Sequence, residues 1–187
     1  LINGNQIGTM LEYYLLKSLE ANGSIPNNGT IIKTIVTTDL QEEIAIKFGC
    51  SVENVLTGFK YIALKMDELN NTGKKFIFGG EESFGYLPVD FVRDKDAVSS
   101  CYFFAEMADW LIEKGSSPYL FLEEIYLKFG LYVEDLHSIT LKGKDGMDKI
   151  NLIMENFRNS PPAGFCGVGV VRTDDIQRLT SHDTLSG

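Results

Sequence analysis

The run TIIKTIVTTDLQEEIAIKFG, Thr30 to Gly49, changes its period halfway along. Its first part, Thr30 to Thr38, is dominated by β-branched side chains and follows Asn27-Asn28-Gly29, a turn signal, so it reads as a strand. Asp39 and Glu42 then stand three apart as a capping pair, opening a helix that closes at Gly49. A strand that feeds directly into a helix is the unit from which α/β layer structures are built.

The alternation continues in both directions. Upstream, Ile7, Met10, Leu11, Tyr14, Leu15 and Leu19 recur at helical spacing between Gly4 and Asn22, which predicts a helix packed on one face, with Gly23 as its stop. Downstream, Val52 to Leu56 reads as a short strand and Phe59 to Leu69 as a helix. Lys75 to Phe78 reads as an apolar strand bounded by Gly73 and Gly79. A long loop from Gly80 to Lys95 follows. Asp94 to Lys114 then reads as a helix with Val98, Tyr102, Ala105, Ala108 and Leu111 on its apolar face. Ser117-Pro118 opens a further helix that ends at Phe129, before Gly130. The expected fold class is α/β: a three-layer α/β/α arrangement around a mostly parallel, mixed sheet of about four strands. Ligands of such sheets bind outside the carboxyl ends of the strands, where Thr57-Gly58 and the Gly80–Lys95 loop fall.

Beyond Gly130 the texture changes. Ser138 to Lys142 reads as a strand and Gly146 to Phe157 as a helix. Pro161-Pro162 is a stiff break, Gly167 to Arg172 a further strand, and Leu179 to Gly187 a polar, mobile tail. The expected organisation is one domain over residues 1–135, then a linker and an incomplete α+β segment over 136–187. The chain opens at Leu1, without methionine and almost directly on helical patterning, which reads as a piece of a longer protein.

With 187 residues and an apolar fraction of 44%, the chain can build a real core. No run approaches a membrane span and no secretory signal is visible, so a soluble protein is expected and no membrane partner. The formal charge of −9, without a basic patch, argues against nucleic acid as a partner. Cys50, Cys101 and Cys166 are odd in number and widely spaced, so buried thiols in a reducing cytoplasm are expected rather than disulfides or a zinc site.

The candidate chemistry gathers in Gly79-Gly80-Glu81-Glu82-Ser83-Phe84-Gly85. Glycines on both sides let the backbone turn sharply and approach a ligand. A carboxylate accepts from two neighbouring hydroxyls at once, and a serine hydroxyl donates and accepts, a pairing that suits vicinal sugar hydroxyls. Strand-like alternation would turn Glu81 and Ser83 to one side and Glu82 to the other. A solvated acidic turn is the competing reading. Glu81 and Glu82 do not suit a glycosidase pair, whose carboxylates face each other at least ~5 Å apart. Their loop matches no calcium-binding spacing.

Arg93-Asp94-Lys95-Asp96 is either a basic pair aimed at a phosphoryl group or a helix start capped by Asp94. Between Gly80 and Asp96 five acids (Glu81, Glu82, Asp90, Asp94, Asp96) outnumber two bases (Arg93, Lys95). Such a loop suits hydroxyls better than phosphate. Thr57-Gly58 could offer a hydroxyl and an amide at a helix start, as an anion or hydroxyl site or simply as a cap. His137 and His182 have no neighbours that suggest a ligand set, and Ser181-His182-Asp183 is consecutive, unlike a preorganised triad.

Together these stretches resemble the α-D-phosphohexomutase superfamily of phosphoglucomutases and phosphomannomutases. LINGNQIGTMLEYYLL (from Leu1) is similar to the opening of that family's third domain and KTIVTT (from Lys33) to its first long strand. LTGFKYI (from Leu56) resembles its Thr-Gly loop, GGEESFGYL (from Gly79) its sugar-specificity loop, and VRDKDA (from Val92) the segment after it. The resemblance implies that Glu81 and Ser83 contact sugar hydroxyls, that Thr57 and Gly58 form the Thr-Gly loop, that Arg93 lines the substrate site, and that Lys95 contacts substrate and assists proton transfer. It implies an intramolecular phosphotransferase that interconverts hexose 1-phosphate and hexose 6-phosphate through a bisphosphorylated sugar and an enzyme phosphoserine. Magnesium and a glucose 1,6-bisphosphate-type intermediate would accompany it, and the other domains of a parent chain would be its partners. The family's Ser-His-Asn, Asp-x-Asp-x-Asp and Arg-x-Ser-Gly-Thr loops do not occur in the chain, so metal ligands and nucleophile are not expected in it. The resemblance is therefore to the third domain and the start of the fourth. A non-catalytic sugar-phosphate-binding or regulatory module on the same fold is the alternative. A nucleotide-binding α/β domain lacks its GxGxxG or Walker-type loop here.

Overall fold

The computed structural model describes residues 1–134, 139–178 and 180–183. Two compact units divide the chain, Leu1–Glu134 and Asp135–Gly187. In the first, the elements follow as α1 (Gly4–Ala21), β1 (Gly29–Thr34), α2 (Leu40–Lys47), β2 (Ser51–Val55), α3 (Phe59–Thr72), β3 (Lys75–Glu81), β4 (Gly85–Leu87), α4 (Ala97–Glu113) and α5 (Pro118–Phe129).

The sheet has four strands in the order β2-β1-β3-β4, with β1 parallel to both neighbours and β4 antiparallel to β3. Strand β1 lies between two partners and under helices on both faces, so all six of its residues are buried. Period-2 alternation divides its isoleucines between two cores. Ile31 joins Met10, Leu11, Leu16, Ile44, Phe78, Met107, Phe121 and Ile125 beneath α1, α2, α4 and α5. Ile32 joins Val55, Ile62, Met66, Phe76 and Leu87 beneath α3. The three-layer α/β/α architecture with a mostly parallel mixed sheet is thus the fold class expected.

Local chemistry sets the helix ends. Asn3 and Gln6 form a reciprocal capping box at α1, and Ser117 with Pro118 starts α5. Gly73 at φ +73 terminates α3. Several boundaries differ from the sequence reading. Strand β1 stops at Thr34 rather than Thr38, because the Thr37 amide folds back to donate to the Thr34 carbonyl. Asp39 makes no side-chain cap: its carboxylate accepts from the buried Lys33 ammonium at 2.9 Å. Helix α4 is capped by Asp96, which accepts from Val98 N and Ser99 N, and not by Asp94. Of its expected apolar face, Leu111 is buried in the core and Ala108 is half-buried, but Val98, Tyr102 and Ala105 are turned outward, with Val98 80% and Tyr102 71% exposed. The larger rings of Phe103 and Trp110 take the packed side, against Tyr14 at centroid distances of 5.3 and 5.2 Å. Helix α1 buries Glu12 and Tyr13 beside Met10, Leu11 and Tyr14, so it packs on more than one face.

In the second unit, α6 spans Gly143–Asn159 and is followed by β5 (Gly164–Phe165), β6 (Val168–Gly169), β7 (Arg172–Asp175) and β8 (Thr180–Asp183). These strands form two separate antiparallel pairs. Residues 139–142 carry no strand, and Ser138 and His137 lie outside the described residues. The expected strand from Gly167 to Arg172 is split, since β6 pairs with β5 and Arg172 opens β7. The described part of the tail, 180–183, is a strand. It is closed by a turn in which Asp175 accepts from the Gln177 and Arg178 amides. Ser181, His182 and Asp183 sit consecutively on that strand, so their side chains alternate between its faces. Cys50 is buried as expected, but Cys101 lies on the outward side of α4 and Cys166, at φ +49, in the turn between β5 and β6. Among the described residues no helix is long and apolar enough to cross a membrane.

Candidate functional site

Parallel strands bring their carboxyl ends to one edge. β2 runs out there into Thr57-Gly58, and β3 into Glu81 and the turn Glu82–Phe84. Gly58 caps α3 at φ +119, a conformation that only glycine adopts without strain. Its amide is aimed at the neighbouring loop and donates to Glu81 Oε1 at 2.8 Å. The other oxygen, Oε2, lies 3.6 Å from the Lys95 ammonium. Glu81 is 4% exposed, whereas the Lys95 side chain is 56% exposed and its Nζ stands 5.8 Å over the Phe59 ring. A buried carboxylate therefore joins three segments that are far apart in sequence.

Gly85 makes this joint possible. A Cβ there would lie 3.0 Å from Lys95 Cδ and 3.2 Å from Glu81 Oε2, so a side chain would press into the carboxylate–ammonium pair. Glu82 turns the other way, and its Oε2 accepts from Thr34 Oγ1 at 3.3 Å. Strand alternation ends at Glu81. Residues 82–84 form a turn, which leaves Ser83 and Phe84 exposed, with Phe84 at φ +63. Thr57 is exposed beside the Gly58 cap.

Of the residues singled out by sequence, Thr57, Gly58, Glu81, Ser83 and Lys95 share this edge. Arg93 is turned aside: its Nε donates to Asp67 Oδ1 of α3 at 2.8 Å and its guanidinium to the Asp90 carbonyl. Asp96 sits where α4 starts, and hydrogen bonds from the Ser99 side chain and from the Ser99 and Val98 amides hold its carboxyl below the usual range. Among the described residues no group of three or more His, Cys, Asp or Glu side chains could hold a metal.

The sequence reading missed the residues behind the edge. Tyr86, on β4, donates its hydroxyl to the Gly4 carbonyl at 2.7 Å, and burial pushes that hydroxyl's pKa up despite an opposing contact with the Gly8 backbone. Glu12 of α1, Lys33 of β1 and Gln41 of α2 are polar side chains buried in the core. Burial pushes the Glu12 carboxyl well up, partly offset by Lys33. The glycine at position 85 was a legible signal, but nothing near Tyr86 or Glu12 announced a partner across the fold.

Comparisons with known proteins bear on the same segments. The family model described as "Phosphoglucomutase/phosphomannomutase, alpha/beta/alpha domain III" matches residues 3–129. A phosphoglucomutase of Staphylococcus haemolyticus (strain JCSC1435) is 34% identical over 176 residues, covering 94% of this chain. One of Staphylococcus aureus (strain USA300) is 37% identical over 180 residues, covering 96%. In both cases the chain spans only 31% of the relative's length. Among solved structures, a putative phosphomannomutase from Thermus thermophilus matches with a TM-score of 0.56 at 22% identity, over 70% of this chain and 26% of that one. The open form of pp63/parafusin from Paramecium matches with a TM-score of 0.55 at 15% identity, over 98% of this chain and 31% of that one. At those identities the structural matches speak for the fold alone. The match over residues 3–129, with relatives above 30% identity along nearly the whole chain, shows that this chain belongs to the phosphoglucomutase/phosphomannomutase family and carries its α/β/α domain III.

Proposed function

We propose that this chain is the sugar-recognition part of a phosphoglucomutase or phosphomannomutase, and that the edge formed by Thr57, Gly58, Glu81, Ser83 and Lys95 reads the hydroxyls of a hexose phosphate. The observation that carries the reading is the joint at Glu81, which ties the Thr-Gly loop and Lys95 to the GEES turn in one place. An ionised carboxylate has about four acceptor sites. The Gly58 amide takes one and Lys95 faces another, so sugar hydroxyls reach Oε2 by bridging to, or displacing, the exposed ammonium. The exposed Ser83 and Thr57 hydroxyls lie on the two neighbouring loops and extend the polar surface.

In the parent enzyme a phosphoryl group would pass between the 1- and 6-oxygens of the sugar through a bisphosphorylated intermediate. Such a site must hold the sugar in two opposite orientations. A carboxylate that accepts from vicinal hydroxyls serves both, because each orientation presents a similar pair. Lys95 would supply a positive charge and a donated proton at a sugar or phosphoryl oxygen. The phosphoserine, the magnesium ligands and most of the phosphate contacts would come from the rest of the parent, together with a glucose 1,6-bisphosphate-type intermediate, and the cytoplasm would be its compartment. Residues 136–187 would begin the parent's next domain. Arg93, held by Asp67, serves the reading as a brace of the loop unless substrate draws it away.

Amide NMR titration of the chain with glucose 1-phosphate and mannose 1-phosphate tests this. Shifts centred on residues 79–95 and on Thr57, lost in Glu81→Ala, are expected. Shifts located elsewhere, or unchanged by the substitution, would overturn the assignment. The isolated chain should also show no mutase turnover.

A further inference from the structure

The first turn of α1 lies against the back of the recognition turn, and the fit leaves no room for a side chain. A Cβ on Gly4 would lie 1.8 Å from the Glu82 carbonyl oxygen and 3.0 Å from Phe84 N. One helical turn further, a Cβ on Gly8 would lie 3.1 Å from Tyr86 Cε1. The Tyr86 hydroxyl donates to the Gly4 carbonyl at 2.7 Å in a buried bond, so β4 is tied to the same turn from its other side. Asn5 adds a third tie, accepting from Thr38 N at 3.0 Å in the connection after β1. Glycine is a poor choice within a helix. Contact with the loop backbone gives a reason for it at position 4. Phe84 gives the same answer from the other side, since a bulky residue at φ +63 persists only where its surroundings over-determine it.

The geometry points to the α1 N-terminus as the wall that sets the Glu82–Phe84 turn, with Gly4 and Tyr86 as positioning residues for sugar recognition. The inference rests on the proposed reading of that turn as the hydroxyl-recognition element. The nearest atoms that a Cβ on Gly4 would meet are loop backbone, and Tyr86 acts through the Gly4 carbonyl and through the strand that follows the turn. Neither needs to meet the sugar. A methyl at position 4 must push the turn away by more than about 1 Å to reach an ordinary carbon–oxygen contact. Misplacement on that scale costs tenfold or more where several groups must converge on one ligand, up to about a hundredfold.

The test compares amide spectra and glucose 1-phosphate titrations of the 187-residue chain with those of Gly4→Ala, Tyr86→Phe and Gln6→Ala. Gln6→Ala removes half of the capping box and the bond to the Tyr126 hydroxyl of α5 without adding an atom toward the turn, so it reports loosening of α1 without the contact at the wall. Gly4→Ala and Tyr86→Phe are expected to shift the amides of residues 81–86, and Gly4→Ala to weaken sugar phosphate binding about tenfold or more. Gln6→Ala is expected to leave both unchanged. If Gly4→Ala fails to fold, Tyr86→Phe decides, because it removes one oxygen and adds no bulk. Loop amides that stay in place in both variants would overturn the wall. Loop amides that move while affinity is kept would overturn its positioning role. A wild-type chain that binds no sugar phosphate would instead sink the recognition reading, with the amide shifts still deciding whether α1 sets the turn.

Discussion

Replacing Glu81 with alanine should cost about 1.5–4 kcal/mol of folding stability, and the structure divides that figure. The carboxylate accepts a charge-assisted bond from the Gly58 amide at 2.8 Å, and bonds of that kind contribute about 1.5–3 kcal/mol. The second interaction, with Lys95 at 3.6 Å, adds between nothing and about 1 kcal/mol, because the lysine is more than half exposed and water screens it. Glu81→Gln keeps an acceptor for Gly58 and loses only the charge, so it should cost about 1 kcal/mol. Equilibrium unfolding in urea, followed by the fluorescence of Trp110, the single tryptophan, separates the two variants. A Glu81→Ala protein within about 0.5 kcal/mol of wild type, the range of an ordinary surface change, would refute the reasoning that this carboxylate knits the loops together.

Three further outcomes are expected. Gly58→Ala meets no clash, its nearest neighbour being Tyr61 Cδ2 at 3.7 Å, but it forces alanine to φ +119 and should lose about 1–3 kcal/mol in the same urea experiment. Burial raises the Glu12 carboxyl in the folded state above its ordinary 4.5, so the folded chain holds that proton more tightly than the unfolded one. This group's contribution is therefore most favourable in acid and is lost as pH rises from the unfolded value through the folded one. Glu12→Gln should flatten the fall, which urea midpoints measured across that range would register, and parallel pH profiles would contradict it. Thiol labelling followed by mass spectrometry should modify Cys101 and Cys166 rapidly in the folded chain. Cys50, whose thiol is pushed up to about 11 by burial and then by Glu12, should react only after unfolding.

Much of the first unit was legible because local and long-range demands agree there. The β-branched run at Thr30 is both a strong strand former and the most buried strand, and Ser117-Pro118 is both a cap and a real helix start. Where the two demands separate, periodicity misled. In α4 the set Val98, Tyr102, Ala105, Ala108 and Leu111 satisfies helical spacing, but only Leu111 is buried in the core. Phe103 and Trp110 offer more area to Tyr14 and turn the first half of the set outward. Asp39 has the spacing of a cap, yet the buried Lys33 ammonium needs a counter-charge more than the helix needs that bond. The short β4 strand was hidden inside a loop because three residues cannot display a period.

The edge proposed for sugar recognition divides in the same way. The residues of the two loops carried a signal in their chemistry: two glutamates and a serine between glycines, and a Thr-Gly pair at a helix start. Their supports carried none, since the Gly58–Glu81 bond spans 23 positions and the Tyr86–Gly4 bond 82. Sequence shows which groups could bind a sugar. Only the fold shows that the most central of them, Glu81, is nearly buried and already engaged.

The central claim is that this edge reads sugar hydroxyls and leaves phosphate to other parts of the parent. The measurement that meets it most directly is a pair of amide NMR titrations, one with methyl α-D-glucopyranoside and one with inorganic phosphate at equal concentration. The account predicts that the glucoside moves the amides of Gly58 and of residues 79–85, that Glu81→Gln abolishes the effect, and that phosphate leaves them in place. Movement of the same amides by phosphate alone, with none from the glucoside, would contradict it.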